Sequence, residues 1–175
     1  MKIVVTGGSG KVGTYVVQEL LEAKHEVTIF DPFPPSQLTG VRWIKGDLQD
    51  LGQVISGFAG IDAVVHLAAY PIPYREIPDH VLFTNNTVAT YNVHEAAFRL
   101  GISKVVQMSS GAIVGWAYGT KNFGPEYLPV DENHPLSPPG SLWSVETLRR
   151  AYWPILYSEV RYGHHCSKAR MGFIS

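Results

Sequence analysis

Near the amino terminus the chain reads Thr6-Gly7-Gly8-Ser9-Gly10-Lys11-Val12-Gly13, a glycine pattern that lets a main chain come close to an anion. It follows the short apolar run Ile3 to Thr6 and opens a segment with helical spacing, so the glycines have the right setting as well as the right pattern. Gly7 would allow a tight turn, Gly10 would let the backbone approach a pyrophosphate, and Gly13 would let the helix pack closely on the strand. The helix start, with Lys11 and Val12 beside it, then offers free N–H groups and a positive dipole end to the phosphates. A nucleotide triphosphatase loop does not fit. Val12 stands where Ser or Thr must follow the lysine, and Val5 stands where the earlier glycine belongs.

Asp31 ends the next β-branched run, eighteen residues past Gly13, where its carboxylate can accept hydrogen bonds from both hydroxyls of an adenosine ribose. A 2′-phosphate would meet that carboxylate as a like charge, so NAD is favoured over NADP. The competing reading of Asp31 is a solvated aspartate before Pro32. Gly46-Asp47-Leu48 admits two readings: a carboxylate beside the adenine, or an aspartate capping the next helix. His66 lies in an apolar segment and is read as a core histidine with no catalytic part. His164-His165-Cys166 are adjacent and cannot all point at one ion, so no metal site is expected.

Short β-branched runs alternating with helix-period segments position these residues, the pattern of βαβ units on a parallel sheet. Strands are expected at Ile3 to Thr6, Val27 to Phe30, Val41 to Ile44, Asp62 to Leu67 and Lys104 to Met108. Val12 to Ala23 reads as the first crossover helix, with Val12, Val16, Leu20 and Ala23 inward and Gln18, Glu19 and Glu22 in solvent. Val81 to Leu100 reads as a long helix carrying Val88, Tyr91, Val93, Ala96, Ala97 and Leu100 toward the sheet. Right-handed crossovers then give a doubly wound, Rossmann-like α/β sheet of order 3-2-1-4-5, incomplete on its C-terminal side. Glycines and prolines punctuate a long irregular stretch from Gly111 onward, the character of an active-site loop.

Bulk properties agree with one globular domain. The chain has 175 residues, 45% apolar and 17% charged, with a formal net charge of -1 that leaves no electrostatic footprint for nucleic acid or an anionic membrane. A small-molecule partner is expected. Cys166 is the only cysteine and the first residues are too short an apolar run for a signal peptide, so a cytoplasmic setting is expected. The residues leave oligomeric state open, with a homodimer admitted.

Together these residues resemble the extended short-chain dehydrogenase/reductase family, the NAD-dependent epimerase/dehydratase group, over roughly residues 1 to 140. The matching pieces are Thr6 to Gly13, Asp31, Gly46-Asp47-Leu48, His66-Leu67-Ala68-Ala69, the stretch from Asn86 to Ala97, Ser109-Ser110 and Asp131 to Leu136. The resemblance implies NAD bound across the strand ends by Gly7, Gly10, Lys11, Val12, Gly13, Asp31, Asp47, Leu48, Leu67, Ala68, Ala69 and Asn86. It implies a sugar or nucleotide-sugar substrate, and it matches Ser110 to the catalytic serine or threonine that hydrogen-bonds the reacting oxygen. Ser109 to Gly115 is also similar to uronate dehydrogenases.

The resemblance fails at one point. The family's chemistry needs a tyrosine as acid or base and a lysine four residues on, whose charge lowers the phenol's pKa. No tyrosine in this chain is followed four residues later by lysine, and Tyr118 and Lys121 are three apart and too near Ser110 to serve. The expected organisation is therefore an NAD-binding domain over 1–137 and an atypical tail over 138–175 in place of the Tyr/Lys helix and substrate region. Such a chain is expected to be truncated and inactive, or an NAD-binding pseudoenzyme or interaction module. A reading frame advanced by one base from about Gly140 would account for the tail. With permitted codons TCC CTA TGG TCT GTC GAA ACT for Ser141 to Thr147, that frame gives Pro-Tyr-Gly-Leu-Ser-Lys. Sequencing the coding DNA across codons 138 to 175 should show that run continuing into an open frame; its absence makes the tail a genuine divergence.

Overall fold

Apolar residues on the strands face alternately to two sides, as expected for strands buried on both faces of a sheet. In the computed structural model, which describes residues 1–70, 77–111, 124–131 and 133–135, five strands form one parallel sheet. They are β1 (Lys2–Thr6), β2 (Glu26–Asp31), β3 (Arg42–Lys45), β4 (Ala63–His66) and β5 (Lys104–Gln107). Their spatial order is β3-β2-β1-β4-β5, the order expected from the sequence. The helices are α1 (Lys11–Glu22), α2 (Leu51–Phe58) and α3 (Asp79–Arg99).

The two faces carry separate cores. On one side Ile3, Val5, Val27, Ile29 and Ala63 pack with Val17 of α1. On the other, Val4, Phe30 and Val64 pack with Val54 and Phe58 of α2 and with Ala89, Val93, Ala96 and Ala97 of α3. Crossover helices on both faces make the sheet doubly wound.

Two helices differ from their expected faces. In α1 the buried residues are Gly13 and Val17, while Val12 is 54% exposed, because the close approach of Gly13 to the glycine turn rotates the helix away from Val12. Tyr91 of α3 and Leu100 at its C-cap are exposed, and the buried face holds Asn86, Thr90, Asn92 and His94 alongside Leu82, Ala89, Val93, Ala96 and Ala97. Of the irregular stretch after Gly111, only 124–131 and 133–135 are described. Tyr118, Lys121, His164, His165, Cys166 and the tail from 138 lie outside the described residues.

Phe30 determines how α2 seats. Its ring lies edge-on to Phe58, with centroids 5.8 Å apart, and two glycines make room for it. A Cβ on Gly57 would stand 2.5 and 2.6 Å from Phe30 Cε2 and Cδ2, and one on Gly46 would meet the same ring. Gly57→Ala should therefore destabilise the fold. Alanine's helix propensity offers about 1 kcal/mol, but forcing a methyl into a packed site costs about 1–3 kcal/mol. A lower urea midpoint by circular dichroism is the expected result; an unchanged or higher midpoint would mean that the ring yields.

Candidate functional site

The carboxyl ends of β1, β2 and β4 converge on the glycine turn. Gly7 has φ +71, a backbone conformation that side chains rarely adopt, and a Cβ there would lie 2.7 Å from both the Cα and the N of Ala68. The turns after β1 and β4 thus rest directly on one another. Gly13 is equally constrained: a Cβ there would stand 2.7 Å from the Cα of Gly8, so the start of α1 rests on the turn itself. Gly10 is exposed at the N-cap of α1, with extended backbone and no side-chain cap, and the first turn of the helix holds no acidic residue. Lys11 and Val12 are exposed beside it. A helix start with neither cap nor counter-charge is built to receive an anion.

Asp31 ends β2 next to this turn and is 8% exposed. Its Oδ1 accepts the Phe33 N–H at 3.0 Å and its Oδ2 accepts the Ser9 N–H at 3.3 Å, while the Ser9 hydroxyl donates to the Phe33 carbonyl at 2.7 Å. Ser9 therefore ties the glycine turn to the segment after β2. A carboxylate oxygen can accept more than one hydrogen bond, so these contacts orient Asp31 without exhausting it. The glycine signal located the turn, but nothing in the sequence marked Ser9 as the tie.

After β3, Asp47 is exposed and its Oδ1 accepts the Gln49 N–H at 2.9 Å. The helix-capping alternative for Asp47 fails. Asp50 is the N-cap of α2, its side chain accepting from the Gly52 and Gln53 N–H groups at 2.8 and 3.1 Å. Leu48 is buried, and its carbonyl accepts from Asn92 Nδ2 at 2.8 Å. Gln49 Nε2 donates to the Asn85 carbonyl at 2.9 Å. Neither Gln49 nor Asn92 was singled out by sequence, since an amide reveals its partner only once the fold brings it near.

After β4, Leu67 and Ala68 are half-buried and Ala69 is exposed. Asn86 uses both ends of its amide on the next residue: Oδ1 accepts the Tyr70 N–H at 2.9 Å and Nδ2 donates to the Tyr70 carbonyl at 3.1 Å. Asn86 thus clasps the loop after β4. Ser110 is half-buried three residues past β5, and the Met108 N–H donates to the His66 carbonyl at 3.0 Å, carrying the β4–β5 pairing toward it. The structure brings the three strand-end turns of β1, β2 and β4 together and places Ser110 at the same end of the sheet. Among the described residues no cluster of three or more His, Cys, Asp or Glu groups could hold a metal ion. No helix among them is long and apolar enough to cross a membrane.

A parallel 3-2-1-4-5 sheet whose first strand runs through a glycine turn into an uncapped helix, with a carboxylate closing the neighbouring strand, is a Rossmann-type dinucleotide-binding domain. More particularly, the chain belongs to the NAD-dependent epimerase/dehydratase family, whose model matches residues 3–172. It is 33% identical over 146 residues to a UDP-glucose 4-epimerase of Lacticaseibacillus casei, covering 79% of this chain and 41% of that protein. A short-chain dehydrogenase/reductase superfamily protein from Agrobacterium tumefaciens, solved with bound NAD, superposes with a TM-score of 0.77 at 30% identity, over 89% of this chain and 44% of that one. The UDP-glucose 4-epimerase of Thermus thermophilus in complex with NAD gives a TM-score of 0.78 at 27% identity, over 91% of this chain and 51% of that one. The chain spans less than half the length of these curated relatives.

The cap of α2 has a measurable signature. The Gln53 side chain, then the Gln53 and Gly52 backbone N–H groups, hold the Asp50 carboxyl below its ordinary value of 3.8. A lowered folded-state pKa gives stability that is complete above the ordinary value and is lost as pH falls through the lowered one. Asp50→Asn should therefore differ most from the parent above pH 4, with the gap in melting temperature closing on further acidification. A gap independent of pH would show that the charge of Asp50 contributes nothing to the cap.

Proposed function

We propose that this chain is an NAD-binding domain of an epimerase/dehydratase-type oxidoreductase that acts on a sugar or nucleotide sugar. The observation that carries the reading is the meeting of the uncapped α1 start with Asp31, held in place by Ser9, at one end of the sheet. Gly7, Gly10, Lys11, Val12 and Gly13 would border the pyrophosphate, and Asp31 would take the adenosine ribose. Asp47 and Leu48 would lie by the adenine, and Leu67, Ala68, Ala69 and the Asn86-held loop would flank the remainder. When bound, NAD supplies a hydride acceptor. Ser110 would hold the substrate oxygen by a hydrogen bond. The acid–base pair of the family has no counterpart in these 175 residues, which supports NAD binding without turnover by this chain and keeps a pseudoenzyme or interaction module as the second reading. One cysteine and near-neutral charge support a cytoplasmic setting and a small-molecule partner rather than nucleic acid or membrane.

Calorimetric titration tests the cofactor. Asp31→Ala should weaken NAD binding by about tenfold or more, the scale of lost hydrogen bonds to a charged group, and should weaken NADP less. Equal losses for the two would remove Asp31 from the ribose site. In single-turnover mixtures of the chain, NAD and a panel of sugars and nucleotide sugars, no NADH should form. Protein-dependent NADH formation would defeat the claim of inactivity and point to an acid–base group other than a Tyr-x-x-x-Lys pair.

A further inference from the structure

His66 ends β4 with no exposed surface, and its ring spans two threonines on different elements. Nδ1 lies 2.6 Å from Thr6 Oγ1, and Nε2 lies 3.3 Å from Thr90 Oγ1. The proton positions follow from the threonines. Thr90 Oγ1 is 2.8 Å from the carbonyl oxygen of Asn86, one helical turn back, and two oxygens at that distance attract only with the hydroxyl proton between them. A threonine has one such proton. Toward the ring Thr90 must accept, so Nε2 carries hydrogen. Thr6 is fully buried, and among the described residues Nδ1 is the acceptor its hydroxyl finds. A buried hydroxyl without an acceptor is costly, so Nδ1 accepts and carries no proton.

The result is a chain of one-way hydrogen bonds: Thr6 O–H to Nδ1, Nε2–H to Thr90, and Thr90 O–H to the Asn86 carbonyl. It begins at the residue before Gly7 and ends at the residue whose amide clasps Tyr70. Between these ends, the Gly7 turn and Ala68 are packed so closely that a single methyl would not fit. We propose that neutral, Nε2-protonated His66 is a positioning residue for the dinucleotide, setting the spacing of the glycine turn, the loop after β4 and α3. A ring with both nitrogens protonated would turn Thr6's proton away and cut the chain at its first link. The inference rests on the NAD-binding reading above.

Two measurements on the full chain test it. A long-range ¹H–¹⁵N correlation spectrum of histidine-labelled protein at pH 7, with the His66 signals assigned by their loss in His66→Phe, should show Nε2 protonated and Nδ1 not. A protonated Nδ1, in the other tautomer or the imidazolium, overturns the hydrogen-bond chain. NAD affinity is then compared for the parent, Thr6→Val, His66→Phe and the double variant, at a temperature where circular dichroism shows each one folded. Thr6→Val preserves shape and guards against loss of the fold in His66→Phe. Each single variant should weaken NAD by about tenfold, and the double should be no weaker than His66→Phe, because both cut the same chain. A purely structural histidine would lower the melting temperature while leaving the affinity of the folded protein unchanged, and unchanged affinity in folded Thr6→Val overturns the positioning role. If the unaltered chain does not bind NAD, the functional reading and the cofactor role of His66 fall together, while the nitrogen spectrum still reports on the hydrogen-bond chain itself.

Discussion

The architecture depends on a helix that buries polar groups. Asn86, Thr90, Asn92 and His94 of α3 are all buried, and the first three reach the Tyr70 backbone, the His66 ring and the Leu48 carbonyl. A buried amide or hydroxyl without a partner costs about 1–3 kcal/mol, so these side chains tolerate little displacement of the loops they hold. Apolar packing, in contrast, is non-directional and accepts small slides. The directed bonds of Asn86, Thr90 and Asn92, interleaved with the buried Ala89 and Val93, fix the turns after β3 and β4 to one frame. The helix is therefore only weakly amphipathic by sequence although one side of it is thoroughly buried.

The glycine turn achieves rigidity by the opposite means. It has few side chains to lock, and its shape is held by close approach: Gly7 against Ala68, Gly13 against Gly8, Gly8 against Ile29. Ser9 adds two polar ties to the end of β2. The N–H groups of Gly7, Ser9 and Gly10 bond within this frame, and the first turn of α1 beyond them has no side-chain cap and no acidic residue. That suits an anionic ligand with extended, oxygen-rich surfaces.

The sheet order and the glycine motif were legible because both are written in local pattern. Short β-branched runs at Ile3, Val27 and Lys104 leave little choice of element, and right-handed crossovers leave little choice of order. Strand limits differed by a residue: Val27 to Phe30 became Glu26–Asp31, because pairing with a neighbour extends that strand beyond its apolar residues, while Asp62 to Leu67 shortened to Ala63–His66. The faces of α1 and α3 were less legible. Val12 looked inward by spacing, yet the contact of Gly13 with the turn decided the rotation of the helix, and a residue without a side chain adds nothing to hydrophobic periodicity. Asp50, the true cap of α2, was hidden behind Asp47 because two aspartates three residues apart both suit a helix start. His66 was recognised as a core residue, but its partners lie 60 and 24 residues away and no spacing rule could name them.

The contact between Gly7 and Ala68 also governs the order in which the site can come into being. The glycine turn and Asp31 are both present in the first fifth of the chain, but the surface beneath Gly7 belongs to the turn after β4, and the clasp on that turn belongs to α3. During synthesis, the amino-terminal strand, turn and helix emerge long before the partners that give them their shape. The glycine turn thus takes its final packing only when the turn after β4 lies beneath Gly7 and Asn86 holds that turn through Tyr70.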